Sequence, residues 1–194
     1  MADTKRMNGG PYLANQLLIA MPSLADPNFS QTVTLICEHT DGGALGIVLN
    51  RPLNMRMGEV LEQLSLSTDD SRLRDMQVLR GGPVQTDRGF VLHRPGPTEW
   101  DSTLEVSDTL HVTTSRDVLA ALARGDGPSL AAIALGYAGW DAGQLEEEMR
   151  QNAWLTAPCD DAIIFDLPFE QRWHAAAKLL GVDLSRLSHV SGHA

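Results

Sequence analysis

The stretch Gly46-Ile47-Val48-Leu49-Asn50-Arg51-Pro52 returns forty-three positions later as Gly89-Phe90-Val91-Leu92-His93-Arg94-Pro95. Each copy runs glycine, three apolar residues, a polar hydrogen-bonding residue, arginine, proline. Three apolar residues in this setting fit a short buried strand. Each proline restricts the arginine before it to an extended conformation and ends the strand there. The pattern predicts two strands, over 44–50 and 89–93, within one curved sheet. Each strand finishes at a stiff corner carrying a polar side chain and a guanidinium.

Outward from these copies, Thr32-Val33-Thr34-Leu35-Ile36-Cys37 alternates, with Val33, Leu35 and Cys37 on one face. Asp41-Gly42-Gly43 then turns the chain into the first copy, which predicts an antiparallel hairpin. Met76 to Arg80 and Gly89 to His93 read as a second strand pair around a Gly81-Gly82-Pro83 corner. Leu104–Val106 and Leu110–Val112 read as short strands, as does Ala162–Phe165. Leu130 to Leu135 fits strand or helix by pattern, and its length between Pro128 and Gly136 favours a buried strand.

Helices are interspersed. Met57, Val60, Leu61 and Leu64 recur at i, i+3, i+4, i+7 and form one apolar stripe. Ser115 is placed to cap a second helix that runs to Arg124 and stops at Gly125. Asp141 followed by Gln144 reads as a capping box opening a third helix from Ala142 to about Trp154. A last helix spans Phe169 to Leu180 and ends at Gly181. Ser65 to Arg74 reads as a surface loop or a short helical excursion. Hairpin-linked strands with helices between them give an α+β class.

At 194 residues with 43% hydrophobic content the chain suits a single domain over 11–187. Residues 1–10 and 188–194 read as flexible tails. The formal net charge of −10 disfavours non-specific attraction to phosphate backbones or anionic membrane. Cys37 and Cys159 give neither a disulfide framework nor a metal-site spacing. The apolar run Leu17 to Met21 is too short to span a membrane and lacks the apolar region of a signal peptide. A cytoplasmic protein is the expectation.

Gly81-Gly82-Pro83-Val84, Asp87-Arg88-Gly89 and Gly136-Tyr137-Ala138-Gly139-Trp140 resemble the AlgH/YqgE family of bacterial cytosolic proteins, and the likeness covers residues 11–181. The resemblance implies a bifurcated mixed sheet curled into a partial barrel with helices packed outside. It implies no particular reaction. The family name carries an association with transcriptional control.

Standard catalytic motifs are missing: the chain has no G-x-x-x-x-G-K-[ST], no G-x-G-x-x-G, no H-E-x-x-H, no G-x-S-x-G and no C-x-x-C. No metal and no cofactor are expected. His189 and His193, the one close histidine pair, lie in the C-terminal tail. The candidate ligand-binding residues are Asn50, Arg51, Gly81, Gly82, Pro83, His93 and Arg94, expected to line one concave surface. Arginine offers a fixed fork of donors for carboxylate or phosphate, and consecutive glycine amides form anion-binding nests. The competing reading is that Arg51 and Arg94 only pin strand ends. Tyr137, Trp140 and Gln144 form a secondary candidate set, against which stands a packing role for Trp140 and Trp154. Glu38, His39 and Asp41 suggest an acid/base group, although adjacent strand residues face opposite ways.

Three functions compete. One is a non-catalytic regulatory or binding module for a small anionic ligand or a protein partner. The second is a hydrolase or transferase using Asn50, His93 and Arg94, with His93 as general base. The third is a DNA-binding regulator, which would need a basic face or a helix-turn-helix that the sequence lacks. An indirect part in transcription is preferred over direct DNA binding.

Overall fold

The computed structural model describes residues 12–187, so both expected tails lie outside the described residues. In chain order the strands are β1 (Gln16–Ala20), β2 (Val33–Thr40), β3 (Gly43–Val48), β4 (Pro52–Arg56), β5 (Gln77–Arg80), β6 (Val84–His93), β7 (Thr103–Ser107), β8 (Leu110–Thr113), β9 (Ala131–Asp141) and β10 (Trp154–Pro158). The helices are α1 (Met57–Gln63), α2 (Ser71–Asp75), α3 (Arg116–Arg124), α4 (Gln144–Arg150), α5 (Phe169–Lys178) and α6 (Leu184–Leu187). A π-helical turn covers Ala162–Asp166.

The strands form one mixed sheet in the order β10-β1-β2-β3-β9-β6-β8-β7, with β5 parallel to β9 and β4 paired to β5. β9 is its spine. β3 pairs with residues 138–141 of β9, β5 pairs with Ala134 and Leu135 on the same edge, and β6 runs along the opposite edge. Because β3 and β5 share an edge, the sheet forks there. The whole sheet curls into a half-barrel flanked by helices. Residues 46–48 of the first copy lie in β3, which stops short of the expected end at Asn50, and residues 89–93 of the second lie in β6, on opposite edges of β9.

Burial follows the period-2 pattern of the strands. Val33, Leu35 and Cys37 point inside the curl with Leu17, Ile47, Leu49, Phe90 and Leu92. Ile36 points outward with Leu18, Ala20 and Trp140, and α4 and Phe29 cover that face. The inner cluster is closed by Ile163 and Ile164 of the π-turn and Trp173, Ala176 and Ala177 of α5. Met57, Val60 and Leu61 of α1, with Leu73 of α2 and Val118 of α3, cover Val78, Val91 and Ile133. Each large side chain so buried contributes about 1.5–3 kcal/mol. No helix among the described residues is long and apolar enough to cross a membrane.

Several local expectations need correction. β5 does not pair with β6, because β9 lies between them. Ala162–Phe165 is helical rather than a strand. Asp160 Oδ1 accepts the Ile163 N–H at 3.2 Å, and the Leu167 N–H reaches back five residues to Ala162 O at 2.8 Å. A run of four apolar residues carries no periodicity to separate the two states. The third helix covers only Gln144–Arg150, since β9 continues through Asp141 and Trp154 opens β10. Gly143, at φ +77°, takes the N-cap position in place of Asp141. Ser115 holds the N-cap position of α3 but donates its hydroxyl to Asp117 Oδ1 at 2.6 Å instead of capping.

Candidate functional site

The two family-like glycine motifs meet at the fork. Gly81 N–H donates to Leu135 O at 2.8 Å, and Gly81 O accepts the Val48 N–H at 2.8 Å, so this residue links β9 to β3. The chain then crosses over β9 from the β5 edge to the β6 edge, where Val84 lies opposite Tyr137. The crossing is flush. A Cβ on Gly82 would lie 2.1 Å from the Tyr137 carbonyl carbon, and one on Gly81 would lie 2.3 Å from Gly136 O.

The first corner fastens the segment 27–33. Asn50 Oδ1 accepts the Val33 N–H at 3.0 Å and Nδ2 donates to Gln31 O at 2.8 Å. Arg51 donates from Nη1 to Pro27 O at 2.6 Å and from Nη2 to Ser30 O at 2.8 Å. The Arg80 N–H donates to Arg51 O at 2.7 Å, which sets the two arginines side by side. Arg51, Arg80, Gly82 and Pro83, with Asn28 and Val48, line a small open cleft of about 10 Å³. Burial lowers the Arg51 pKa, the charge of Arg80 lowers it further, and Asp26 partly offsets both. The Arg80 guanidinium makes no hydrogen bond or ion pair among the described residues.

The second corner is spent differently. His93 is 1% exposed. Its Nδ1 lies 2.9 Å from Arg94 O and its Nε2 lies 2.7 Å from Thr113 Oγ1. A carbonyl only accepts, so Nδ1 carries a proton, and in the neutral ring that burial favours Nε2 accepts the threonine hydroxyl. Burial lowers the His93 pKa; the Arg94 carbonyl opposes the shift and His111 adds to it. Arg94 forms an ion pair with Asp161.

Of the candidate set, then, Arg51, Gly82 and Pro83 share the cleft, and Gly81 forms the backbone link beside it. Asn50, His93 and Arg94 do not line it. Two residues escaped the sequence reading. Arg80 had a signal, being a cation immediately before a double glycine. Arg172 had none. It is 4% exposed, donates from Nε to Leu167 O at 2.9 Å, and from Nη1 to Leu49 O at 2.9 Å and Ile164 O at 3.0 Å. Its guanidinium also stacks 4.6 Å over the Phe169 ring. Burial pushes its pKa down to about 10. Through Arg172 and Asp161, the segment 161–172 holds both arginine corners.

The secondary set is divided by the sheet. Tyr137 packs inside the curl, its ring 5.7 Å from that of Phe90. Trp140 lies on the outer face, 5% exposed. Trp140 Nε1 and Trp154 Nε1 each donate to Glu148 Oε2 at 2.9 Å, and Phe29 packs against both indoles. Gln144 Oε1 accepts the Asp141 N–H at 3.0 Å and Nε2 donates to Glu148 Oε1 at 3.0 Å. These contacts make Trp140 a packing residue.

His39 pairs with neither Glu38 nor Asp41. Its Nδ1 accepts the Leu13 N–H at 2.9 Å and its Nε2 lies 2.8 Å from Glu146 Oε1, while Asp41 accepts the Tyr12 hydroxyl. Among the described residues no three His, Cys, Asp or Glu side chains gather to hold a metal ion.

A UPF0301 protein of Xanthomonas campestris pv. campestris is 56% identical over 182 residues, which is 94% of this chain and 96% of that one. A UPF0301 protein of Nitrosococcus oceani is 51% identical over 183 residues, 94% and 97% of the two chains. The solution structure of AlgH from Pseudomonas aeruginosa matches with a TM-score of 0.78 at 53% identity, covering 97% of this chain and 100% of that one. A crystal structure of a Corynebacterium diphtheriae protein matches at a TM-score of 0.72 over 94% of each chain, and at 19% identity it shares the fold alone. The AlgH-like (DUF179) family profile spans residues 17–185, and with relatives this similar over nearly their full length the chain belongs to the AlgH-like family.

Proposed function

We propose that this chain is a non-catalytic binding module that holds a small anionic ligand, or an anionic group on a protein partner, between Arg51 and Arg80. One observation carries the reading: two guanidiniums flank a single cleft, one clamped by Pro27 and Ser30 and the other without a partner among the described residues. At about 10 Å³ the cleft has room for about one water, far below the roughly 300–1,000 Å³ of sites that engulf a whole ligand. It suits a charged group seated at its mouth, with the remainder outside.

Any part in transcription is indirect in this reading, because a net charge of −10 opposes contact with nucleic acid. Cys37 and Cys159 are free thiols, which suits a reducing compartment, and the cytoplasm is the location this reading takes. A hydrolase or transferase built on Asn50, His93 and Arg94 is the weaker reading. Asn50 spends its amide on backbone groups and His93 is buried with both nitrogens engaged.

The test is a thermal-shift screen of anionic metabolites on the chain and on Arg80→Ala. Hits that raise the melting temperature of the first, fail on the second and are recovered unchanged support the reading. Hits indifferent to Arg80→Ala, or consumed by the protein, overturn it.

A further inference from the structure

Resting on that reading, we infer that the Arg51–Arg80 cleft selects a terminal phosphoryl group, a doubly charged tetrahedral oxyanion, over a carboxylate.

The donors come from three backbone segments. Arg51 immediately precedes β4, Arg80 ends the paired β5, and Gly82 belongs to the crossover above β9. A guanidinium has five N–H donors, and Arg51 commits two hydrogen bonds, to Pro27 and Ser30, so the rest of its fork is free while its orientation is fixed. The Arg80 fork meets no partner among the described residues. Gly82 is buried, and its N–H finds no acceptor among the described residues. A carboxylate has two oxygens whose acceptor sites lie in one plane, and a guanidinium fork takes up one side of it. Only one in-plane site per oxygen then remains for the second arginine and the glycine amide. The three terminal oxygens of a phosphoryl group, not coplanar with its phosphorus, match three donor groups on three segments.

Charge balance agrees. Two adjacent guanidiniums with no carboxylate bridging them are complementary to a dianion. Burial and the neighbouring charge already lower the Arg51 pKa, a strain that a dianion relieves. Asp26 offsets part of the Arg51 charge, but its Oδ1 accepts the Asn28 N–H at 2.8 Å and is engaged within its own loop. The cleft is open and holds only about 10 Å³, so a phosphoryl group would meet its donors at the mouth while the ester side stays in solvent. Inorganic phosphate and a phosphate monoester therefore share the site.

The experiment is an amide and arginine-Nε NMR titration of the full chain with inorganic phosphate, glycerol 3-phosphate and acetate, at pH 5 and pH 7.5. The expected result is that both phosphates shift Gly82 and the Nε of Arg51 and Arg80. Both should bind more tightly at pH 7.5, where each carries far more dianion than at pH 5; the second ionisation of the monoester lies at about 6. Acetate should bind at least about tenfold more weakly, since it lacks the third charge-assisted contact. Arg80→Gln should weaken both phosphates by about tenfold or more. The Arg80 side chain holds no other group in place, so this variant keeps the fold, which the undisturbed amide spectrum elsewhere verifies. Acetate binding as tightly as phosphate at these residues, with the same dependence on Arg80, overturns the phosphoryl preference and leaves the anion-binding reading standing. Phosphate shifting residues elsewhere overturns the preference too. If none of the three anions moves Gly82 or Arg80, both readings fall together.

Discussion

The backbone of Gly82 lies so close to Tyr137 that a Cβ on the glycine would sit 2.1 Å from the Tyr137 carbonyl carbon. That contact is the crossing of the chain over β9, and it decides where the cleft arginines stand. Its consequences for substitution are severe, because the obstructing atoms are backbone and cannot rotate away.

Gly82→Ala is expected to destabilise the fold by about 4 kcal/mol or more, at the extreme of single substitutions. Gly125→Ala, in open space at φ +85°, is expected to cost only about 1–2 kcal/mol of left-handed strain. Urea unfolding of the two variants compares them directly. Similar losses would mean that the crossing yields easily.

Trp140→Ala removes a core indole and leaves Phe29 and Trp154 facing a void. The expected loss is about 3–5 kcal/mol. Asp141→Ala should stay within about 0.5 kcal/mol, because its side chain caps nothing. An unchanged melting temperature for Trp140→Ala, accompanied by lost ligand binding, would move the functional site to this face.

The two buried-end arginines should separate sharply. Arg172→Met strips donors from the buried carbonyls of Leu49 and Ile164 and the part-buried one of Leu167, and is expected to cost about 3–5 kcal/mol. Arg94→Ala breaks a half-exposed pair with Asp161 and should cost no more than about 1 kcal/mol. Denaturant midpoints of both variants, at equal m-value, measure the contrast. Equal losses would contradict the assignment of Arg172 as the main anchor.

His93 makes stability fall on the acid side of neutrality. Its pKa is lowered from 6.5 by burial, so the unfolded chain takes up a proton before the folded one does. The stabilisation held by the neutral ring is complete above about 6.5 and declines as pH falls through that value toward the lower folded pKa. An imidazole NMR titration should place the His93 midpoint below 6.5. A midpoint above it would show that the ring is not the neutral, doubly engaged group described here.

Local chemistry reached a good part of this protein. The β2–β3 hairpin followed from alternation plus Asp41-Gly42-Gly43, the α1 stripe from four residues at helical spacing, and the end of α3 from Gly125. Each depends on neighbours a few positions apart, so it is written in the chain itself. Arg51, Gly82 and Pro83 were identified as site candidates for the same reason, since proline, glycine and arginine constrain their own surroundings. What needed the tertiary structure was every choice between alternatives of equal local merit. Gly81-Gly82-Pro83 suits a hairpin corner or a crossover, and only the placement of β9, fifty residues onward, selects the crossover. Ala162–Phe165 suits strand or helix, and Arg172 collecting its carbonyls selects the helical turn. His39 has acidic neighbours at hand, yet its partner is Glu146, because α4 packs onto the outer face of the sheet. The second corner repeats the first in sequence but not in role: burial turned His93 inward and Asp161 occupied Arg94, while Arg80 arrived from another strand to stand beside Arg51. Long-range packing has no local signature, and it alone determined which of two matching corners keeps an unpaired charge beside an open cleft.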